Sequence, residues 1–480
     1  MFKLKQKNDT INTVNNLKQH SNINAKQNNS GTPQITLTEE MEYAKRQILS
    51  REKQIIWIYG AAGTGKTFFL NHIMKYLPKG SALIAPTGAA ALLIDGSTIH
   101  KFFHLPIIKN PSVYIPQDNE YYNEHIKRVA LDSWDSTPFL VIDEISMVRA
   151  DVFDEIDRRM RIAKENDLPF GGVKLLLLGD PYQLPPVLQE EDKDAFYNLG
   201  YKTPYFFSSV VFKELLQNKE IEHIEFTKVF RQKDEHFLGI LNNIRLGKHT
   251  VTDLDNLNNR KQSDLDNKSL IITTTRKEAN SINQAEYDKI DSEEKTYIAT
   301  ATKSYFEDLS IALKSNNPND YKEFPAVPVL KLKVGTRILL LVNENNYVNG
   351  TIATVTELHD DYIEAKENDI TYRILRHVWE DKEYVLQYGE NKLMTLGTYC
   401  QLPIAYGWAL TIHKAQGKTI DKISVSFANG AFAPGQAYVA LSRVKEISGL
   451  NLITRVRQSD IKECKSVNEY FKYCKNHELL

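Results

Sequence analysis

The stretch IIWIYGAAGTGKTFFLNHIM, starting at Ile55, constrains this chain more than any other. Ile55 to Tyr59 have the apolar, β-branched character of a buried strand, a glycine-rich turn follows, and a helix opens at Lys66. The turn reads G-x-x-x-x-G-K-[ST], and its place between a strand and a helix is what gives that pattern a physical meaning. Gly60, Gly63 and Gly65 let the backbone curl, so that successive N–H groups, Thr64 among them, and the helix N-terminus face one phosphate. Lys66 then reaches the β- and γ-phosphates, and Thr67 ligates Mg²⁺. ATP and Mg²⁺ are the expected cofactors.

PFLVIDEIS (Pro138 to Ser146) is a second apolar strand, ending in two carboxylates. Asp143 is expected to hold the magnesium through water, and Glu144 to orient and deprotonate an attacking water. A kinase built on the same loop has little use for that glutamate, so hydrolysis is the expected reaction. A third strand, in VKLLLLGDPYQLPPV, leads to Gln183, whose amide is placed to sense the γ-phosphate or its water; Pro185 and Pro186 stiffen the loop behind it. Between these strands, Val152, Phe153, Ile156 and Met160 recur at helical spacing and bury one face. Arg158, Arg159 and Arg161 are left as a basic face that lies near DNA in one reading and is merely solvated in the other.

A chain of 480 residues is too long for one ordinary domain and calls for two or three. Its main apolar run, VKLLLLG, falls far short of the ~20 residues a membrane span needs, so no membrane partner is expected. Cys400, Cys464 and Cys474 have neither zinc-ligand spacing nor the even count of a disulfide framework. The formal charge of −1 neither supports nor excludes nucleic acid, whose binding must come from local clusters. Residues 1 to about 33 are polar and expected to be disordered; they lack both an apolar core and arginine, which argues against a secretory or mitochondrial leader.

Taken in order, GAAGTGKT, APTGAAALLIDGSTIHKFF, VIDEISMV, PFGGVKLLLLGDPYQLPPV, VFRQ, VGTRILLLVNENNYVNG, WALTIHKAQGKT and GQAYVALSRV resemble the superfamily-one DNA helicases of the PIF type, relatives of RecD. The likeness runs from about Leu37 to Ile453. It implies an α/β fold of two tandem RecA-like P-loop domains with a small wedge insertion and a β-rich SH3-like insertion. The implied boundaries are 34–100 with 131–220 for the first domain, 101–130 for the wedge, 221–296 with 396–465 for the second domain, 297–395 for the β insertion, and 466–480 for a C-terminal tail.

The same resemblance implies an ATP-dependent 5′-to-3′ DNA helicase, the direction resting on TIHKAQGKT. Its partners are single-stranded DNA and forked or 5′-tailed duplexes, and a monomer is expected. The location implied is cytoplasmic and nucleoid-associated in a bacterium, nuclear or mitochondrial in a eukaryote. Arg231 and Arg443 are expected to cross the cleft to the γ-phosphate as arginine fingers. One departure stands out: Met41 occupies a position where a glutamine commonly reads adenine, and a thioether accepts hydrogen bonds poorly. The alternatives are a translocase with little unwinding and a nucleic-acid binding protein switched by ATP.

Thr-Ile-His-Lys occurs twice, at Thr98 and at Thr411. By resemblance, Thr87, Thr98 and His100 in the first half and Thr411, His413 and Lys414 in the second hold DNA phosphates. The aromatics of KFFHLP and NEYYNEH are candidates for stacking on or splitting bases.

Overall fold

The computed structural model describes residues 37–105, 137–259, 269–314, 324–344, 349–387 and 390–480, with a few isolated positions between them. The N-terminal segment and NEYYNEH fall almost wholly outside the described residues. Six strands form the first sheet: β1 (Ile55–Gly60), β2 (Ala82–Ala85), β3 (Ser97–Thr98), β4 (Phe139–Ile142), β5 (Lys174–Gly179) and β6 (Ile221–Phe226). Their order is β3-β2-β4-β5-β1-β6, and every pairing is parallel. Strands covered on both faces by helices read as unbroken apolar runs, as β1, β4 and β5 do. β6 reads IEHIEF instead, burying mainly Ile221, Ile224 and Phe226, because it is an edge strand. The first sheet therefore extends past the expected boundary at 220, through Phe226.

Four parallel strands form a second sheet, in the order Ala409–Thr411, Leu270–Thr273, Ile423–Ser426, Leu450–Leu452. The β-rich insertion consists of more than one sheet. Ile370–Leu375, Tyr362–Glu367, Ile352–Leu358, Arg337–Leu340 and Ile404–Tyr406 form an antiparallel five-stranded sheet, so its last strand lies beyond the expected limit of 395. A long hairpin, His377–Gln387 with Glu390–Gln401, pairs with Thr300–Lys303 in a separate sheet.

Two expectations change for reasons of packing. The segment expected as a C-terminal tail is the amphipathic helix Lys465–Asn476, which buries Val467, Tyr470 and Cys474 in the core of the first sheet. The Tyr470 ring stacks on Phe207 at 4.6 Å between centroids and lies 5.7 Å from Trp57, while its hydroxyl meets His223 Nε2 at 2.7 Å. Tyr470→Ala should cost about 3–5 kcal/mol of stability, the range for truncating a large core aromatic, read from urea unfolding. The basic face is also spoken for. Arg158 and Arg159 pair with Glu155 at 2.8 and 2.6 Å, and Arg161 pairs with Asp157 at 2.8 Å, all on the helix Ala150–Lys164. Phe102 and Phe103 of KFFHLP are fully buried core residues, not exposed base-splitters.

Candidate nucleotide and nucleic-acid site

β5 lies between β1 and β4, in register with both. The C-terminal ends of three adjoining strands therefore present the glycine loop, Asp143 with Glu144, and the Asp180–Gln183 turn to one place. This is the crevice in which α/β sheets bind ligands. Gly63 and Gly65 both have φ of +84°, the left-handed conformation the curl requires. Lys66 Nζ donates to the carbonyls of Gly60 at 2.7 Å and Ala61 at 3.0 Å, and desolvation holds its pKa below the ordinary lysine value.

Glu144 has φ of +51°, uncommon outside glycine, and donates its N–H to Asp143 Oδ1 at 2.9 Å. Burial, with Asp143 alongside, pushes its carboxyl up to about 7; burial also raises Asp143. The Thr67 hydroxyl at the helix start and the Asp143 carboxylate are hard oxygen donors of the kind Mg²⁺ takes alongside phosphate oxygens. Gln183 is buried, its Nε2 3.4 Å from Asp180 Oδ2. Met41 is buried against the loop: a Cβ added to Gly65 would lie 3.0 Å from its Cε, with the Phe230 ring at 3.5 Å on the same side.

Arg443 is fully buried, donating to the carbonyls of Val439 at 2.6 Å, Lys418 at 3.3 Å and Ala415 at 3.4 Å, and to Ser442 Oγ at 2.8 Å. Burial, with Arg231 nearby, drives its pKa down to about 9. Arg231 is not delivered by the second sheet. It sits on the connection after β6, where Phe230 N–H donates to the Gly63 carbonyl at 2.8 Å, and from the glycine-loop side it donates to the Ser442 carbonyl at 3.3 Å.

The two Thr-Ile-His-Lys words fold alike. Thr98 ends β3, and Thr411 ends the strand Ala409–Thr411; each strand is at an edge of its sheet. Their backbones match, with φ/ψ of −78°/152° and −79°/155°. Each hydroxyl caps a one-turn helix, accepting from Lys101 N–H at 3.2 Å and Lys414 N–H at 3.3 Å. The cap uses the oxygen as acceptor and leaves its proton to donate. His100 and His413 are exposed, and in both the surrounding protein, with Arg149 or Arg276 nearby, lowers the imidazole pKa. The lysines differ: Lys101 is ion-paired with Asp381 of the long hairpin, whereas Lys414 has Arg276 and Lys418 as neighbours. Thr87 caps the helix Gly88–Leu93 after β2, with φ/ψ of −128°/151°. Thr275, which sequence reasoning passed over, caps the helix Arg276–Asp288 after Leu270–Thr273 at −125°/148°.

Residues 36–255 match the PIF1-like helicase family. Unliganded Pif1 from Bacteroides is 32% identical, over 92% of this chain and 97% of that one, and superposes with a TM-score of 0.75. The chain belongs to the PIF1-like helicase family. The same Bacteroides protein bound to ssDNA gives a TM-score of 0.63 at 32% identity, over 92% of this chain and 98% of that one. The ATP-dependent DNA helicase Pif1 of Bdellovibrio bacteriovorus is 29% identical over 90% of this chain and 91% of its own. The PIF1 helicase of Emericella nidulans is also 29% identical, over 83% of this chain, which spans 58% of that relative's length.

Three further residues of this PIF1-like chain join its two sheets at the site. Tyr438, in the helix Gln436–Leu441, accepts the Ala62 N–H of the glycine loop at 2.8 Å. Arg245, on the helix Glu235–Arg245 of the second core, forms a buried ion pair with Asp180 at 3.0 Å and lies over the Tyr182 ring. Gln416 reaches both Glu144 and Gln183. Gln416 and Tyr438 lie inside quoted blocks, but no local pattern shows what they touch. Arg245 lies in no motif.

Proposed function

We propose that the chain is an ATP-dependent DNA helicase that moves 5′-to-3′ along single-stranded DNA and separates duplexes, acting as a monomer with Mg²⁺. The observation that carries this reading is the pair of matching Thr-capped turns, one at the edge of each sheet, together with the nucleotide crevice in which Lys66, Glu144 and Arg443 lie near one another. Each turn offers a hydroxyl proton and a neutral imidazole to a phosphate oxygen, so each half of the molecule has its own grip. Thr87 supplies a further donor in the first half.

In the hydrolytic step the glycine-loop N–H groups and Lys66 hold the β- and γ-phosphates, and Glu144 takes the proton of the attacking water. Arg231 and Arg443 face the charge that spreads over the γ-phosphoryl oxygens. Thr67 and Asp143 would hold Mg²⁺, which would supply positive charge to the phosphate groups. Loss of the γ-phosphate removes the arginines' target and lets the halves part, changing the distance between the two grips. The greater likeness to the unliganded relative than to its ssDNA-bound form supports taking the present arrangement as the DNA-free one. Met41 leaves the base held by packing more than by directional hydrogen bonds.

Strand separation on matched 5′-tailed and 3′-tailed duplexes tests the reading. Unwinding from the 5′ tail alone, with turnover that rises steeply with single strands, is expected. Turnover without separation would favour a translocase, and affinity change without steady turnover a switch. Lys414→Ala should flatten the slope of log K against log salt for single-strand binding by about 0.7, one counterion's worth. Lys101→Ala should leave that slope alone, since Asp381 already neutralises it.

A further inference from the structure

Gln416 stands where the proposed DNA grip meets the proposed catalytic groups. It caps the C-terminal end of the turn Ile412–Ala415, its N–H donating to the His413 carbonyl at 3.3 Å. Gln416 is thereby tied through its backbone to the turn that carries Thr411, His413 and Lys414. Its carboxamide nitrogen lies 3.2 Å from Glu144 Oε2 and 3.2 Å from Gln183 Oε1. The partners decide which end of the amide faces them. Gln183 turns its own nitrogen toward Asp180, leaving its oxygen as an acceptor that calls for the nitrogen of Gln416, and a carboxyl oxygen of Glu144 can accept from the same NH₂ group. One NH₂ group therefore serves two acceptors with its two hydrogens. A water molecule poised for attack has the same requirement: one hydrogen toward the base and one toward the sensor amide.

We propose that Gln416 is the positioning residue through which the nucleic-acid turn governs hydrolysis: in the DNA-free arrangement its amide occupies Glu144 and Gln183 in place of the attacking water, and engagement of the turn by a single strand withdraws it. The inference rests on the helicase reading of the same site. It accounts for coupling without a long pathway, because the residue after the turn is itself the contact with the base. It also differs from mere packing. Gln416 is only partly buried, and its two contacts are polar ones to groups more than two hundred positions away in the chain.

The test compares ATP turnover of the parent chain, Gln416→Ala and Gln416→Met, without DNA and with saturating oligo(dT). Methionine keeps the length of the side chain and removes the donor. Both variants should raise the DNA-free kcat several-fold with KM for ATP unchanged. The stimulation by oligo(dT) should shrink by the same factor, and more ATP should be spent per duplex separated. A gain of this kind does not arise from a damaged fold. A DNA-free kcat at or below the parent's in both variants would overturn the proposal, and so would a rise in the alanine variant alone, which would assign the effect to lost bulk. A parent chain indifferent to oligo(dT) would instead sink the helicase reading, while the DNA-free rates of the variants would still decide the role of Gln416.

Discussion

Glu144→Gln is expected to bind ATP and Mg²⁺ yet hydrolyse roughly 10²- to 10⁴-fold more slowly, the usual contribution of a positioned general base. The substitution keeps the size of the side chain, so the left-handed backbone at this position and the cap of the following turn are undisturbed. It removes the group whose buried setting raises its affinity for a proton toward neutrality, as a base working near pH 7 requires. Single-strand binding should persist, because the turns at Thr98 and Thr411 are built from other strands. Single-turnover hydrolysis alongside ATP binding by equilibrium titration provides the check. Near-parental turnover would move the base elsewhere in the crevice.

Arg443→Ala should lower kcat by about 10³-fold or more, the magnitude associated with a lost arginine finger. The structural argument is electrostatic. A guanidinium that is 1% exposed, surrounded by carbonyls and with Arg231 as a like-charged neighbour, is held below the ordinary arginine range. Such a cation gains most from an anion arriving beside it, and the charge on the γ-phosphoryl group is greatest in the transition state. Nucleotide affinity should fall less than turnover. Arg443→Lys should not restore the rate, because an ammonium cannot reproduce the guanidinium's fork of donors. Turnover at the parent's level in the presence of DNA would make Arg443 a structural residue of the second sheet.

The groups that act through local geometry were legible in the sequence. A strand, a glycine turn and a Lys-Thr pair specify a phosphate cradle within a few residues, and the carboxylates after β4 and the amide after β5 are tied to strand ends in the same way. The repeated Thr-Ile-His-Lys also folds alike at its two sites, because a threonine cap at a strand end sets the conformation of the residues that follow it. Other assignments depended on what lay across the molecule. β6 has the alternating pattern of any half-buried strand, and only its pairing with β1 makes it part of the first sheet. The helix Lys465–Asn476 shows an apolar face with nothing in the sequence to say that Trp57 and Phe207 cover it. The sequence leaves the basic run at Arg158 to Arg161 between a DNA-facing and a solvated role, whereas in the fold Glu155 and Asp157 engage it. The order of motifs assigns Arg231 to the second half, whereas its connection is held on the glycine loop. Hydrogen bonds such as Gln416 to Glu144 and ion pairs such as Arg245 to Asp180 join residues far apart in the chain, with no period or spacing to betray them. Short-range backbone preference therefore determined the chemistry available to this protein, and the tertiary approach of helices and turns from one half to the strand ends of the other decided which of its charged and amide side chains meet.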